Sequence, residues 1–149
     1  MPDTATASGE NPFGHSISSQ DILETLGFFD SWEDRYKYII DLGRDLPPMP
    51  AALHTDDRLV RGCQSQVWID TQLDNGRLQL SVDSDAFIVK GLLALVLAAY
   101  NNRTPPEILA FDIDSYFAQL DLLRHLSPTR GNGLRSMVQR IQDIARHSA

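Results

Sequence analysis

Apolar positions settle into a helical rhythm only after the opening stretch of the chain. Residues 1–15 offer Ser, Thr, Gly, Asn and Pro but almost nothing to bury, and they read as a flexible lead-in to a single domain over 16–149. Ser18 with Asp21 forms a capping-box pattern, and Ile22, Leu23, Leu26 and Phe29 follow at helical spacing, which predicts a first helix over about 19–29. Ser31 with Asp34 repeats the signal. Trp32, Tyr36, Ile39 and Ile40 then share one face of a second helix that ends between Gly43 and Leu46, before Pro47-Pro48. These two helices are expected to pair.

The next segment, residues 47–61, holds three prolines and reads as an extended connection. Beyond it the period changes. Val67, Ile69, Thr71 and Leu73, a turn at Asp74-Asn75-Gly76, and Leu78, Leu80 and Val82 predict a β-hairpin, because Asn-Gly supplies the positive φ values of a tight turn. A third short strand is expected from elsewhere. Asp83-Ser84-Asp85 reads as a cap for a helix through Phe87, Leu92, Leu95 and Ala99 that is apolar nearly all round and so belongs in the centre. Thr104-Pro105-Pro106-Glu107 opens a short helix to about Ala110, and Asp114 begins another through Phe117 and Leu120. Ser127-Pro128 opens the last, with Leu134, Met137, Val138, Ile141 and Ile144 as its stripe. The order predicts an α+β domain, a small antiparallel sheet packed with several helices.

Charge and composition narrow the function classes. The chain has 149 residues and a net charge of −7, and its first 60 residues carry 11 acidic and 4 basic side chains, so the remainder is balanced. This is not the footprint of a nucleic-acid binder. Arg124, Arg130, Arg135, Arg140 and Arg146 read as a solvated helix face. The longest apolar run, Leu92 to Tyr100, is far short of the roughly 20 residues that cross a bilayer, so no membrane partner is expected. With no export signal visible at its start and a single cysteine, the chain is expected in a reducing cytoplasm.

That cysteine, Cys63, is the candidate for chemistry. One thiol makes neither an internal disulfide nor a thiolate-rich metal site. Cys63 follows Arg61-Gly62 at a loop-to-strand junction, where a guanidinium would favour the reactive thiolate; the competing reading is a small buried hydrophobe. Cysteine-dependent hydrolysis or peroxide chemistry needs a base, and His125 is the available histidine, with a helix-junction role as the alternative. Asp83 and Asp85 lack neighbouring His or Cys ligands and fit capping better than metal binding. Glycine-rich phosphate loops are absent.

The run Arg61-Gly62-Cys63-Gln64-Ser65-Gln66-Val67-Trp68 resembles the SufE family of sulfur-acceptor proteins. Further segments resemble the family in order. They are Trp32-Glu33-Asp34-Arg35-Tyr36, Asp83-Ser84-Asp85-Ala86 with Ile88-Val89-Lys90-Gly91-Leu92, and His125-Leu126-Ser127-Pro128 with Arg130 and Gly133-Leu134. Asn11-Pro12-Phe13-Gly14 is closer to the CsdE branch, and Gln64-Ser65-Gln66 to SufE itself. The resemblance implies a fold like that of IscU scaffold proteins and a sulfur carrier that takes a persulfide onto Cys63 from a pyridoxal-phosphate-dependent cysteine desulfurase. It further implies stimulation of that enzyme's turnover and delivery of sulfur to an iron-sulfur scaffold or another acceptor. No cofactor is expected on this chain, the pyridoxal phosphate being the partner's. Arg61, Gln64, Asp85 and Arg130 are the residues expected to meet the partner, and Cys63 is expected to rest in an apolar pocket. The competing functions are an independent Cys63-dependent thiol hydrolase or peroxidase, and a desulfurase regulator that carries no sulfur.

Overall fold

Ser18 Oγ accepts from the Asp21 N–H while the Asp21 carboxylate accepts from the Ser18 N–H, so a capping box opens α1 (Ser19–Leu26). The structure, a computed structural model, describes residues 11–63 and 65–148. Helix α1 stops short of its predicted end because the chain turns after Gly27. Phe28 is left exposed, and the Phe29 ring packs 5.6 Å from that of Tyr38. Ser31 caps α2 (Trp32–Arg44) through the Asp34 N–H.

Helix α3 (Phe87–Tyr100) forms the centre, with every residue from Gly91 to Tyr100 buried. It lies against α2 so closely that a Cβ on Gly43 would stand 2.6 Å from the Gly91 N. Only hydrogen-sized side chains fit where those backbones meet. Thr104 and Glu107 form the predicted capping box of α4 (Pro105–Ala110). Helix α5 (Ile113–Leu120) begins slightly earlier than expected, because Asp112 takes the cap by accepting from the Ser115 N–H. Helix α6 (Pro128–Ser148) closes the fold, with Leu134, Met137, Val138 and Ile141 buried.

Strands β1 (Val67–Asp74) and β2 (Arg77–Ser84) pair antiparallel from Val67 opposite Ser84 to Asp74 opposite Arg77. Asn75 and Gly76 take φ of +53° and +79°, as the hairpin turn demands. Val67, Ile69, Leu78, Leu80 and Val82 face the core.

The expected third strand is not found among the described residues, where the sheet has two strands. Single bridges take its place. Leu59 pairs with Trp68 along the free edge of β1, and Arg103 with Leu78 along that of β2. Val60 N–H donates to Val67 O at 2.7 Å and Leu78 N–H to Arg103 O at 2.8 Å, but neither segment stays extended long enough to continue the ladder.

Residues 1–10 of the expected lead-in lie outside the described residues. For residues 11–15 the flexible assignment is corrected. Phe13 is fully buried, its carbonyl accepts from Asn101 Nδ2 at 2.8 Å, and Asn101 Oδ1 accepts from the Leu80 N–H at 2.7 Å. One aromatic among polar neighbours carries no periodicity, and its burial is decided by an asparagine at the far end of α3.

Residues 47–61 are also more than a connection. They strap the outer face of the sheet, where Arg58 Nε donates to Asp70 Oδ1 at 2.6 Å and His54 Nε2 lies 2.6 Å from Asp83 Oδ2. The His54 ring meets Trp68 edge-on at 4.6 Å.

Candidate functional site

The strap delivers the chain to Gly62, whose φ of +88° is a left-handed conformation that L side chains rarely adopt. A Cβ at Gly62 would stand 2.6 Å from Ser136 Oγ on α6, so the glycine also lets the loop lie flat on that helix. Cys63 follows, half-buried, and its thiol donates weakly to the Gly133 carbonyl at 3.5 Å. Gly133 lacks the side chain that would otherwise meet Cys63 Sγ at 3.5 Å.

Beside the sulfur is a cavity of about 20 Å³ lined by Cys63, Ser65, Val89, Thr129, Arg130, Gly133 and Met137. That is room for about one water-sized atom. The apolar part of that lining comes from Val89 and Met137. Among the described residues, Arg130 Nη1 is the buried side-chain nitrogen without a hydrogen-bond partner. A much larger hollow of about 540 Å³ opens between the strap and the outer face of the sheet, and Cys63 does not line it.

Beyond the thiol, the loop is fastened where it enters β1. Gln66 N–H donates to Asp85 Oδ1 at 3.1 Å, and Ser84 Oγ donates to Gln66 O at 2.7 Å. This corrects the capping assignment for Asp83-Ser84-Asp85. Ala86 occupies the N-cap of α3, where no side chain caps the helix, and its own N–H donates to Ser84 Oγ at 3.3 Å. Asp85 and Ser84 are spent on the Cys63 loop, while Asp83 holds His54 and sits 3.4 Å from Lys90 Nζ. Burial works to raise the Asp83 pKa, but the bonds from His54 and the Ser84 N–H and the charge of Lys90 outweigh it and leave the carboxyl below its usual range.

Of the residues expected to meet a partner, Arg130 lines the Cys63 cavity, Asp85 anchors the loop exit at the surface, and Arg61 is exposed in the turn before Gly62. Gln64 lies outside the described residues. His125 is not among the residues around the sulfur; its ring stacks on Trp32 at 4.2 Å, with Nε2 3.4 Å from Asp121 Oδ2.

The electrostatics reverse one expectation. Burial pushes the Cys63 thiol up, which favours the neutral S–H that a donor to Gly133 O must be. Sequence reasoning missed Gly133 and Ser136 as the floor of the loop. Two glycines, Gly131 and Gly133, inside an otherwise helical pattern were the available signal of close approach.

Among the described residues there is no group of three or more His, Cys, Asp or Glu able to hold a metal ion, and no helix is long and apolar enough to cross a membrane.

The family model described as "SufE: Fe-S metabolism associated domain" matches residues 20–145, which include Cys63, Asp85 and Arg130. The chain belongs to the SufE family. Two SufE-like proteins described as uncharacterized stand close to this SufE-family chain. That of Rhizobium meliloti is 42% identical over 132 residues, spanning 86% of this chain and 94% of its own. That of Rhizobium etli is 42% identical over 142 residues, spanning 93% and 95%. In three dimensions the chain is similar to a hypothetical protein from Thermus thermophilus, with a TM-score of 0.72 at 20% identity over 87% of this chain and 94% of that one. At that identity the likeness speaks for the SufE-like α+β fold alone.

Proposed function

We propose that this SufE-family protein is a sulfur acceptor for a pyridoxal-phosphate-dependent cysteine desulfurase. It takes one sulfur atom onto Cys63, raises the turnover of that enzyme, and hands the sulfur to an iron-sulfur scaffold or another acceptor in the same compartment. The observation that carries the reading is a solitary thiol, on a loop bent by Gly62, facing a cavity with room for about one further atom.

In the transfer, Cys63 loses its proton and its sulfur attacks the outer sulfur of a persulfide on the partner's cysteine. A new S–S bond forms at Cys63, the partner's S–S bond breaks, and the partner's thiolate leaves to be reprotonated. No net oxidation occurs. The rate depends on the ionisation of the attacking thiol and on access to it, and the resting state restrains both. Docking must therefore lift Cys63 away from Gly133 O into a less buried setting, which lowers its pKa when it is needed. Arg130 and Arg61 supply positive charge for the thiolate so formed. With one cysteine in the chain, no second thiol attacks the Cys63 persulfide to release sulfide.

An independent thiol hydrolase or peroxidase fits less well. That chemistry needs a base hydrogen-bonded to the sulfur, whereas the partner of Sγ is a carbonyl and His125 is engaged with Trp32 and Asp121. The test is mass spectrometry after incubation with desulfurase and free cysteine. The Cys63 peptide is expected to gain roughly 32 Da, one sulfur atom, and Cys63→Ser to keep its fold and lose all stimulation of turnover. Stimulation without the mass gain would make the protein a regulator that carries no sulfur, and full stimulation by Cys63→Ser would exclude the thiol altogether.

A further inference from the structure

One face of α6 carries the approach to the thiol. Gly133, Ser136 and Arg140 follow at spacings of three and four residues, so they share a side of that helix. Gly133 lies under Cys63 Sγ and Ser136 Oγ under Gly62. The Arg140 guanidinium meets the strap just before them, Nη1 donating to Leu59 O at 3.3 Å and Nη2 to Asp57 O. From Asp57 to Cys63 the chain therefore runs antiparallel to α6, along seven residues of helix or about 10 Å. The reading of the C-terminal arginines as one solvated face is corrected here for Arg140. Arg124 and Arg146 donate to Asp121 and Asp143, three residues away, whereas Arg140 reaches 81 and 83 residues back to the backbone of another segment.

The other edge of that segment is tied to the sheet. Val60 N–H donates to Val67 O and Ile69 N–H to Arg58 O at 3.0 Å, so Val60 and Val67 close the base of a loop over residues 61–66. A segment held along one edge still swings about it. Arg140 holds the second edge, and its planar fork takes two carbonyls at once, which a lysine ammonium does not match. With both edges held, the entry to the loop is fixed and the thiol is laid against Gly133. With one edge held, residues 57–63 are free to rise from α6 together.

We infer that Arg140 is the positioning residue of the sulfur site: by binding the strap's carbonyls to α6 it sets the hinge of the Cys63 loop after Val60 and keeps the loop closed between encounters. The inference rests on the sulfur-acceptor reading and adds to it the residue that governs exposure of the thiol and of its cargo. Arg140 does not line the cavity beside Sγ and acts only through the backbone it holds. Its two bonds are charge-assisted, a class stronger than ordinary hydrogen bonds, so their loss shifts the balance between closed and open loops measurably.

The experiment follows alkylation of Cys63 by a bulky maleimide on the full chain without desulfurase, well below the unfolding temperature. Arg140→Met keeps an apolar stem and removes the donors, and its rate is expected to rise about tenfold. The pH midpoint of the reaction should fall toward that of the urea-unfolded chain. Arg140→Lys keeps the charge but not the fork, so it is expected to lie between the two. Ser18→Ala is the control, because it weakens the cap of α1 without touching the strap or α6, and it should react at the unaltered rate. A folded Arg140→Met that reacts within about twofold of the unaltered chain overturns the inference, as does equal acceleration in Ser18→Ala. Should Arg140→Met fail to fold, an Arg140→Lys rate within about twofold of the unaltered one has the same force. After loading by desulfurase, the Cys63 persulfide of Arg140→Met should also be lost several-fold faster to dithiothreitol, and an unchanged lifetime overturns the role in keeping cargo. If Cys63→Ser still stimulates the desulfurase, the sulfur-acceptor reading itself has failed, a result distinguishable from any alkylation rate at Arg140.

Discussion

Gly133→Ala separates the stability of this fold from the use of its cavity. Gly133 lies inside α6 and is not among the glycines with positive φ, so alanine fits the backbone there. Replacing glycine by alanine in a helix interior stabilises by about 0.8–1 kcal/mol. The new methyl would meet Cys63 Sγ, Cα and Cβ at 3.5, 3.7 and 3.8 Å, ordinary contact distances that cost nothing. A chain of this length should therefore melt about 2–4 °C higher. The same methyl stands in the cavity of about 20 Å³ beside the sulfur and leaves no room for a second sulfur atom in the resting position. The variant is thus expected to accept sulfur while docked but to keep it exposed afterwards. The readouts are thermal unfolding and the lifetime of the +32 Da Cys63 peptide in a small thiol such as dithiothreitol, which should fall several-fold. A lower melting temperature would refute the contact geometry, and an unchanged persulfide lifetime would refute the cavity as a shelter.

Two further outcomes follow from the burial pattern. Because desolvation raises the Cys63 pKa, the midpoint of its alkylation by iodoacetamide should lie above that of the urea-unfolded chain, near the usual ~8.5 for a free thiol. The neutral thiol's contribution to stability is complete below the unfolded value and is lost as pH rises through the folded one; a folded midpoint at or below the unfolded one would contradict this. Asn101→Ala leaves the Leu80 N–H and the Phe13 carbonyl buried without partners, at about 1–3 kcal/mol each. Urea unfolding is expected to show a loss of about 2–6 kcal/mol, and a loss below about 1 kcal/mol would mean that the segment at Phe13 is not docked.

The elements legible in the sequence are those whose signals are local. Ser18 with Asp21, Ser31 with Asp34, Thr104 with Glu107 and Asn75-Gly76 each act through neighbours a few residues away, and each was found where its pattern placed it. Cys63 was legible because the motif around it is continuous in the chain. What escaped depends on partners far apart. Phe13 is buried by Asn101, Asp85 bonds Gln66 instead of capping α3, and His54 finds Asp83 across the sheet. Asp-Ser-Asp before an apolar helix has the same composition whether it caps or reaches sideways, so only the fold decides between the two. The thiol's ionisation was misjudged for a related reason, since sequence shows the arginines along the chain but not the burial that raises the thiol's pKa.

The contact between Gly43 and Gly91 determines where this molecule can give way. With backbone against backbone, α2 and α3 have no side-chain rotamers to trade, so they can neither slide nor part without breaking the core. Yielding is left to the Cys63 loop, which is fastened near the thiol by the sulfur contact to Gly133 O and three bonds at Gln66, from its N–H to Asp85 Oδ1 and to its carbonyl from Ser84 Oγ and the Asp85 N–H. Releasing so few bonds is a local opening, of the kind that proceeds in microseconds to milliseconds and far below the free energy of global unfolding. The thiol is a catch hinged on a rigid frame, and the work of presenting sulfur to a partner is uncoupled from the work of holding the domain together.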